Sequence, residues 1–380
     1  LLEEGMTFLN HGAFGATPRS VLRAQDRVRL QMERQPLRFF GQEATPALRS
    51  AAAALAEYVG AAPRDVAFVE NATAGVNAVL RSMKLRTGDE ILASDHVYGA
   101  VQRTLEFVCR ARGARLRVVS VPVPTADPQT ILDAFVAGFT ANTRLVVIDH
   151  VTSMSALIFP VAAIASEARR RGIPVLVDGA HAPGMLPLDL PALGATWYVG
   201  NCHKWLHAPK GTALLWAADS LEARADLHPA VISHEFDQPF PAEFDWIGTR
   251  DLSAWLAAPA GLAVRARWGD EAIRDHNAAL VRAGAALVRD ATHGELSGPE
   301  SMLGSMATIV LPRFRGADAA LGERLRALLW ERHRIEVACF ALLGRLCVRV
   351  SAQIYNVLAD YEHLAEVLPE GLRALEQGRS

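Results

Sequence analysis

The sequence predicts an α/β fold: a mostly parallel, seven-stranded sheet covered on both faces by helices, followed by a smaller α+β unit. Three observations predict it. Short apolar runs alternate with helical patterns through the first half of the chain, which is how strands and crossover helices of a parallel sheet follow one another. From about Asp251 that alternation gives way to a long Ala-rich helical region and then to strands and helices in mixed order. The length, 380 residues, exceeds what one core usually supports. The expected division is a large domain over 14–250 and a small C-terminal domain over 251–380 that also takes in 1–13.

Taken in order, a first helix is expected to begin at Pro46 with Thr45 as its N-cap and to run through Leu48, Ala52, Leu55 and Tyr58. Strands are expected at 66–69, 91–93, 116–119, 145–148, 175–177 and 196–199, with a seventh at 211–216. Helical stretches separate them near 74–83, 99–112, 128–139 and 161–171. In the second part the Ala-rich helical region runs to about Val288. A strand over 306–311, a helix over 318–331, two short strands over 335–338 and 346–351, and a final helix over 357–375 complete the reading. The segment 234–245, with Pro239 and Pro241 among aromatic and acidic residues, reads as a long functional loop.

Composition removes several classes of function. Hydrophobic residues make up 51% and charged residues 21%, as in a globular protein with a large core. The formal net charge is −2, so no strong attraction to nucleic acid is expected. No uncharged apolar stretch reaches the roughly 18 residues of a membrane span. The four cysteines form no C-x-x-C pair, which gives neither a disulfide framework nor a metal site. A reduced, cytoplasmic setting is expected. The chain starts at Leu1 without Met, which leaves room for a removed leader.

The residues that suggest chemistry follow the strands, where ligands of open α/β sheets bind. The run 173–177 ends in Asp178-Gly179-Ala180-His181, and the run 196–199 ends in Gly200-Asn201-Cys202-His203-Lys204. A buried lysine forms a Schiff base with an aldehyde cofactor, and an aspartate keeps a pyridinium nitrogen protonated, so the pair points to pyridoxal 5′-phosphate (PLP). Asn71-Ala72-Thr73 opens a helix directly after a strand, a place for a phosphate or simply a self-capped helix start. Tyr98 follows the strand at 91–93 and offers a ring to stack on the cofactor. The polar cluster Asp149-His150-Val151-Thr152-Ser153 is placed to reach the cofactor's 3′-oxygen or the substrate, and His181 to reach the same oxygen. Arg349 interrupts an apolar strand and needs a partner there, either a structural acid or a substrate carboxylate held by two parallel hydrogen bonds.

These motifs together resemble the class V aminotransferase group of fold-type I PLP enzymes over nearly the whole chain. The matching stretches are 8–15, Asn71–Gly75, Asp178–Gly184, His203-Lys204, Trp246–Asp251 and Arg349–Asn356. The first and the last two look most like the isopenicillin N epimerase-like branch, which is related to hercynylcysteine sulfoxide lyases and cysteine desulfurases. The resemblance implies that Lys204 is the Schiff-base lysine, Asp178 the pyridinium partner, His181 the 3′-oxygen contact and Tyr98 the stacking ring. It implies phosphate contacts from Thr73 and His203, alongside Asn71, Ala72, Ser153 and Asn201 in the cofactor site. Thr249 would come from the second subunit of a homodimer, and Asn10, His11 and Arg349 would meet an amino-acid substrate. Two departures stand out. Asn201 replaces the Ser common in the desulfurases, and Cys339, in a short apolar segment, does not match their reactive cysteine.

The same residues serve three outcomes at the α-carbon: epimerisation, loss of a β-substituent with carbon–sulfur cleavage, and transamination. A nicotinamide-dependent oxidoreductase would need G-x-G-x-x-G after the first strand, and the 10–15 run lacks that spacing.

Overall fold

The computed structural model describes residues 1–125 and 127–377, with the backbone alone at 312, 313 and 315. Seven strands form the main sheet: β1 (Val66–Val69), β2 (Glu90–Ser94), β3 (Arg115–Val119), β4 (Thr143–Asp149), β5 (Val175–Asp178), β6 (Trp197–Asn201) and β7 (Ala213–Ala217). Their spatial order is β1-β7-β6-β5-β4-β2-β3. Pairings among β2 to β6 are parallel, whereas β7 is antiparallel to both β1 and β6. Six strands therefore end at one edge of the sheet, and β7 begins there. Strands β1, β5, β6 and β7 are buried along their whole length, as strands covered on both faces must be.

Two helices matter most for the edge where the strands end. Helix α1 (Ala72–Ser82) follows β1 after two residues, and α2 (Gly99–Arg112) follows β2 after four. Helix α1 lies close enough to β6 that a β-carbon on Gly75 would press on the Val199 side chain. This fixes the start of α1 over the end of β6.

A second, antiparallel sheet has β8 (Glu295–Leu296), β9 (Met306–Arg315), β10 (Ala338–Leu342) and β11 (Arg345–Ser351) in the order β10-β11-β9-β8. The helices Asp270–Thr292 and Leu358–Gln377 pack on each other, with Gly284 directly under the Tyr361 ring. A parallel bridge joins Thr7–Phe8 to Ile335–Glu336, so the start of the chain is tied to this second unit.

Several expected elements need correction. The helix expected from Pro46 runs from Ala44 to Tyr58, and Thr45 lies inside it. The turns Pro36–Arg38 and Phe39–Glu43 lead into that helix without a break, so no side-chain cap is required. The Ala-rich region is three helices, Ser253–Leu256, Ala258–Trp268 and Asp270–Thr292. Gly269 has φ +83 and separates the last two. The expected strand 335–338 is two strands that pair with different partners, Thr7–Phe8 and β11. Cys339 consequently lies within a strand, opposite Val348. Helix Arg19–Arg34, which carries Arg23, Arg27 and Arg29, precedes the first of the expected helices. Part of the 234–245 segment is a short helix, Ala242–Asp245, anchored by buried Glu243 against His228 and by Asp245 against Arg49.

Candidate active site

The loops after β1, β2, β4, β5 and β6 meet the start of β7 around a cavity of about 480 Å³. It brings together Asn71, Ala72, Thr73, Tyr98, Ser153, Asp178, His181, Asn201, His203 and Lys204, ten of the expected site residues. A larger hollow of about 960 Å³ elsewhere on the surface is lined by Thr17, His207, Lys210 and Tyr355, and contains neither Lys204 nor Asp178.

Lys204 is placed by the turn that leaves β6. The segment after Phe14 packs directly on this turn: Gly15, at φ +71, lies so close to the His203 carbonyl that a β-carbon would collide with it. The Lys204 amine is 3.1 Å from His181 Nε2. Burial, and next the charge of Arg349, hold the amine down to about 7, against the opposing pull of Asp178. A large share of the amine is therefore neutral near pH 7 and carries the lone pair that attack on an aldehyde requires. Burial and the nearby lysine, arginine and histidine hold His181 well below the usual imidazole range.

Asp178 ends β5 and is buried, with its Oδ1 accepting the Ala180 amide at 3.0 Å. Burial raises its pKa, while the Ala180 amide and Lys204 act in the other direction. A buried carboxylate of this kind is at its most stable facing a cation, such as a protonated ring nitrogen.

The start of α1 is doubly capped. Asn71 Oδ1 accepts the Ala74 amide at 2.9 Å, and Asn201 Oδ1 accepts the Ala72 amide at 2.8 Å. Each such cap stabilises a helix by about 1 kcal/mol. Thr73 lies between the capped positions and lines the cavity, at the positive end of the helix dipole. The role expected of Asn201 is thus modified: its carbonyl oxygen holds the helix start. The His203 ring pairs its Nδ1 with the Thr212 carbonyl at 3.0 Å, so Nδ1 carries the hydrogen and Nε2 the lone pair. Burial holds this imidazole down to about 4. Meeting a phosphate through Nε2 therefore requires one proton between them, carried either by the imidazole or by a phosphate monoanion.

Arg349, on β11, is buried behind Ser153. It donates to the Ser153 carbonyl oxygen and, at 3.3 Å, to Asn10 Oδ1. Asn10 in turn donates to Glu336 at 3.1 Å, so it orients the arginine. The expectation for His11 is not met. Its ring is fully buried against Trp205 and Tyr355, with Nδ1 at 2.8 Å from the Tyr355 hydroxyl and Nε2 at 3.0 Å from the Lys204 carbonyl. It supports the lysine turn from behind and does not line the cavity. Thr249 also lies outside this cavity, in a separate hollow with Arg29, Phe40 and Arg250. Arg250 pairs with Glu70 on the cavity rim and lies 4.2 Å over the Trp255 ring.

Asp149 was not singled out beyond its polar cluster. It lines the cavity beside Asp178, and Glu70, Phe14 and Gly211 are also in the wall. No signal within one stretch of sequence could have paired Asp149 with Asp178, since they meet only through the β4–β5 register.

The residues fit PLP. Three polar atoms at or directly behind the cavity are buried without a partner: His181 Nδ1, Asp149 Oδ2 and Arg349 Nε. A polar ligand in the cavity would offer such groups the partners that the protein does not. A neutral lysine amine, a buried carboxylate and a helix start match an aldehyde, a ring nitrogen and a phosphate.

Comparison with known proteins agrees with this geometry. The chain is 36% identical to an isopenicillin N epimerase of Streptomyces clavuligerus, over 97% of this chain and 95% of that protein. It is 32% identical to putative L-cysteine desulfhydrase 1 of Oryza sativa subsp. japonica, over 96% of this chain and 83% of that protein. Among solved structures, a cystine C–S lyase in complex with its product cysteine persulfide superposes with a TM-score of 0.83 at 20% identity, covering 96% of this chain and 97% of that one. The apo cysteine desulfurase of Thermococcus onnurineus NA1 gives 0.80 at 19% identity, covering 97% and 95%. The class-V aminotransferase model matches residues 7–364, and the chain belongs to that family of PLP-dependent enzymes.

Proposed function

We propose that this protein is a PLP-dependent enzyme acting at the α-carbon of an amino acid, as an isopenicillin N epimerase-like isomerase. The observation that carries the reading is the Lys204 amine, buried, largely neutral near pH 7 and in the same cavity as Asp178. Bound PLP would withdraw electrons from the α-carbon and so acidify its proton. Lys204 would take that proton, with His181 holding its Nζ in place, and a proton returned to the opposite face of the α-carbon would give the inverted configuration. Asp178 would keep a proton on the ring nitrogen. Ala72 and Thr73 at the helix start, with His203, would take the phosphate, while Tyr98 covers the ring and Ser153 reaches its oxygen. Arg349, oriented by Asn10, would bind the substrate carboxylate by exchanging its contact with Ser153.

A second reading, carbon–sulfur lysis by β-elimination, is favoured by the L-cysteine desulfhydrase relative, which matches over almost the same span. Transamination needs no further residue. We also read the chain as a cytoplasmic homodimer with shared sites. The domain division at 250 rests on the two separate sheets and on the bridge from Thr7–Phe8 to Ile335–Glu336; 378–380 lie outside the described residues. No helix among the described residues is long and apolar enough to cross a membrane, and no cluster there is suited to a metal ion.

The test is incubation with L- and D-amino acids and cysteine sulfoxides in deuterium oxide. Deuterium at Cα with inverted configuration supports epimerisation. Pyruvate with a released sulfur product moves the assignment to lysis. No deuterium and no product from any substrate would remove the proposal.

A further inference from the structure

Asp149 ends β4 exactly as far along the sheet as Asp178 ends β5, since the two are Cα partners in the parallel register. Paired residues of neighbouring strands point to the same face, and both side chains line the cavity. Each is buried, at 3% and 2% exposure, and Asp149 Oδ2 has no partner. Two carboxylates this close and this dry do not both ionise. Asp178 has the means to hold a charge: the Ala180 amide on Oδ1 and the Lys204 ammonium when it is protonated. Asp149 has the backbone amide of Tyr98 and no cation of its own.

The other titratable groups around the pair leave this assignment in place. Tyr198 on β6 stays a neutral phenol, bonded to His150, and His150 is held down to about 4 by burial. His181 is neutral beside Lys204. Arg349 donates to Ser153 and Asn10. From the β2 end, Asp95 is taken by Ser120 and the Val121 amide, and His96 by Ser155 and the Val121 carbonyl.

We propose that Asp149 is a second carboxyl of the cofactor site, held as the neutral acid, so that the Asp149–Asp178 pair carries one negative charge and not two. Resting on the reading of Asp178 as the ring-nitrogen partner, it makes Asp149 a positioning residue. Its proton keeps the charge on Asp178, and its link to the Tyr98 amide ties the stacking ring to the same pair. Burial and the Asp178 charge both push the Asp149 pKa well above the ordinary carboxylate range. An acid whose folded pKa is raised stabilises the fold fully below its unfolded pKa, and that stability is lost as pH rises towards the folded value.

The test uses the purified protein as isolated and after removal of any cofactor, with Asp149→Asn and Asp149→Ala. The infrared difference spectrum of the cofactor-free protein, wild type minus Asp149→Asn, should show a protonated-carboxyl C=O band at pH 7. The melting temperature of cofactor-free wild type should fall relative to Asp149→Asn as pH rises from about 4 to about 8. Asparagine, neutral and of the same shape, should keep PLP affinity near wild type, whereas alanine should weaken it about tenfold. An ionised-carboxylate signature in place of the C=O band, a pH-independent melting difference, or equal loss of affinity in both variants would overturn the proposal. If wild type itself fails to take up PLP, the cofactor reading fails, while the infrared and melting results still decide the state of Asp149.

Discussion

At the scale of single residues, the site works by withholding water from charges. Lys204 is useful because burial makes its amine a free base near neutral pH, and the same burial disarms the cysteines. Cys339 is 5% exposed and its thiol is pushed far up by burial and the Glu336 charge. Cys202 is buried beside the lysine turn, and Cys347 is pushed up to about 12. A thiol that cannot ionise cannot attack a substrate sulfur. Cys339→Ala should therefore leave turnover of any cysteine-like substrate within about twofold, while lowering stability by about 1 kcal/mol through the lost packing. Alanine and an enzyme-bound persulfide from L-cysteine, both absent in the variant, would make the protein a desulfurase. Lys204, Asp178 and Thr73 were legible because each follows its own apolar run. His11 was misread because a polar residue in a motif was taken to face the ligand, whereas its ring supports the backbone of Lys204 from behind.

At the scale of elements, the strand ends of the main sheet were legible and helix breaks were not. A run such as 175–177 announces its end by an acid, but an Ala-rich stretch stays helical by local preference wherever it is cut. The cut at Gly269 is made by tertiary contacts. Asp270, just beyond it, receives Arg265, Arg274 and, at 2.8 Å, the Tyr58 hydroxyl. Arg265 is 1% exposed and also donates to the Trp205 carbonyl at 2.8 Å, so this junction holds the residue after Lys204. Asp270→Ala strands a buried guanidinium and should destabilise the fold by about 3–5 kcal/mol, read as a lower urea midpoint. A loss below about 1 kcal/mol would mean that Arg265 finds another partner or reaches water.

At the scale of the whole molecule, one expected contributor is out of place in a single chain. Thr249 lies outside the cavity of its own chain, while its neighbour Arg250 is fixed to Glu70 on the rim. A site shared between two subunits, as proposed above, would account for the place of Thr249. Mixing Lys204→Ala protein with Thr249→Ala protein should then yield hybrid dimers in which one site has both residues. Up to about a quarter of wild-type activity per dimer site would return on random exchange. Demonstrated subunit exchange with no gain over either parent would show that Thr249 is not lent across the interface. This arrangement is implied only by family resemblance, because no pattern within one chain states which copy a loop serves.

The first strand of the chain has a consequence for how the protein is made. Thr7–Phe8 pairs with Ile335–Glu336, the Leu9 carbonyl takes the Ser351 amide at 2.8 Å, and Asn356 donates to the Phe8 carbonyl at 3.0 Å. A ribosome releases these early residues long before it reaches their partners. The opening segment can meet the lysine turn once residues 203–210 have emerged, but the Gly15 strap over that turn can be locked at both ends only after residues 335–356 follow. A nascent chain stalled short of residue 335 should thus hold a folded main sheet with an unfinished cavity, so that the capacity to react with an aldehyde arrives late, as the last act of folding.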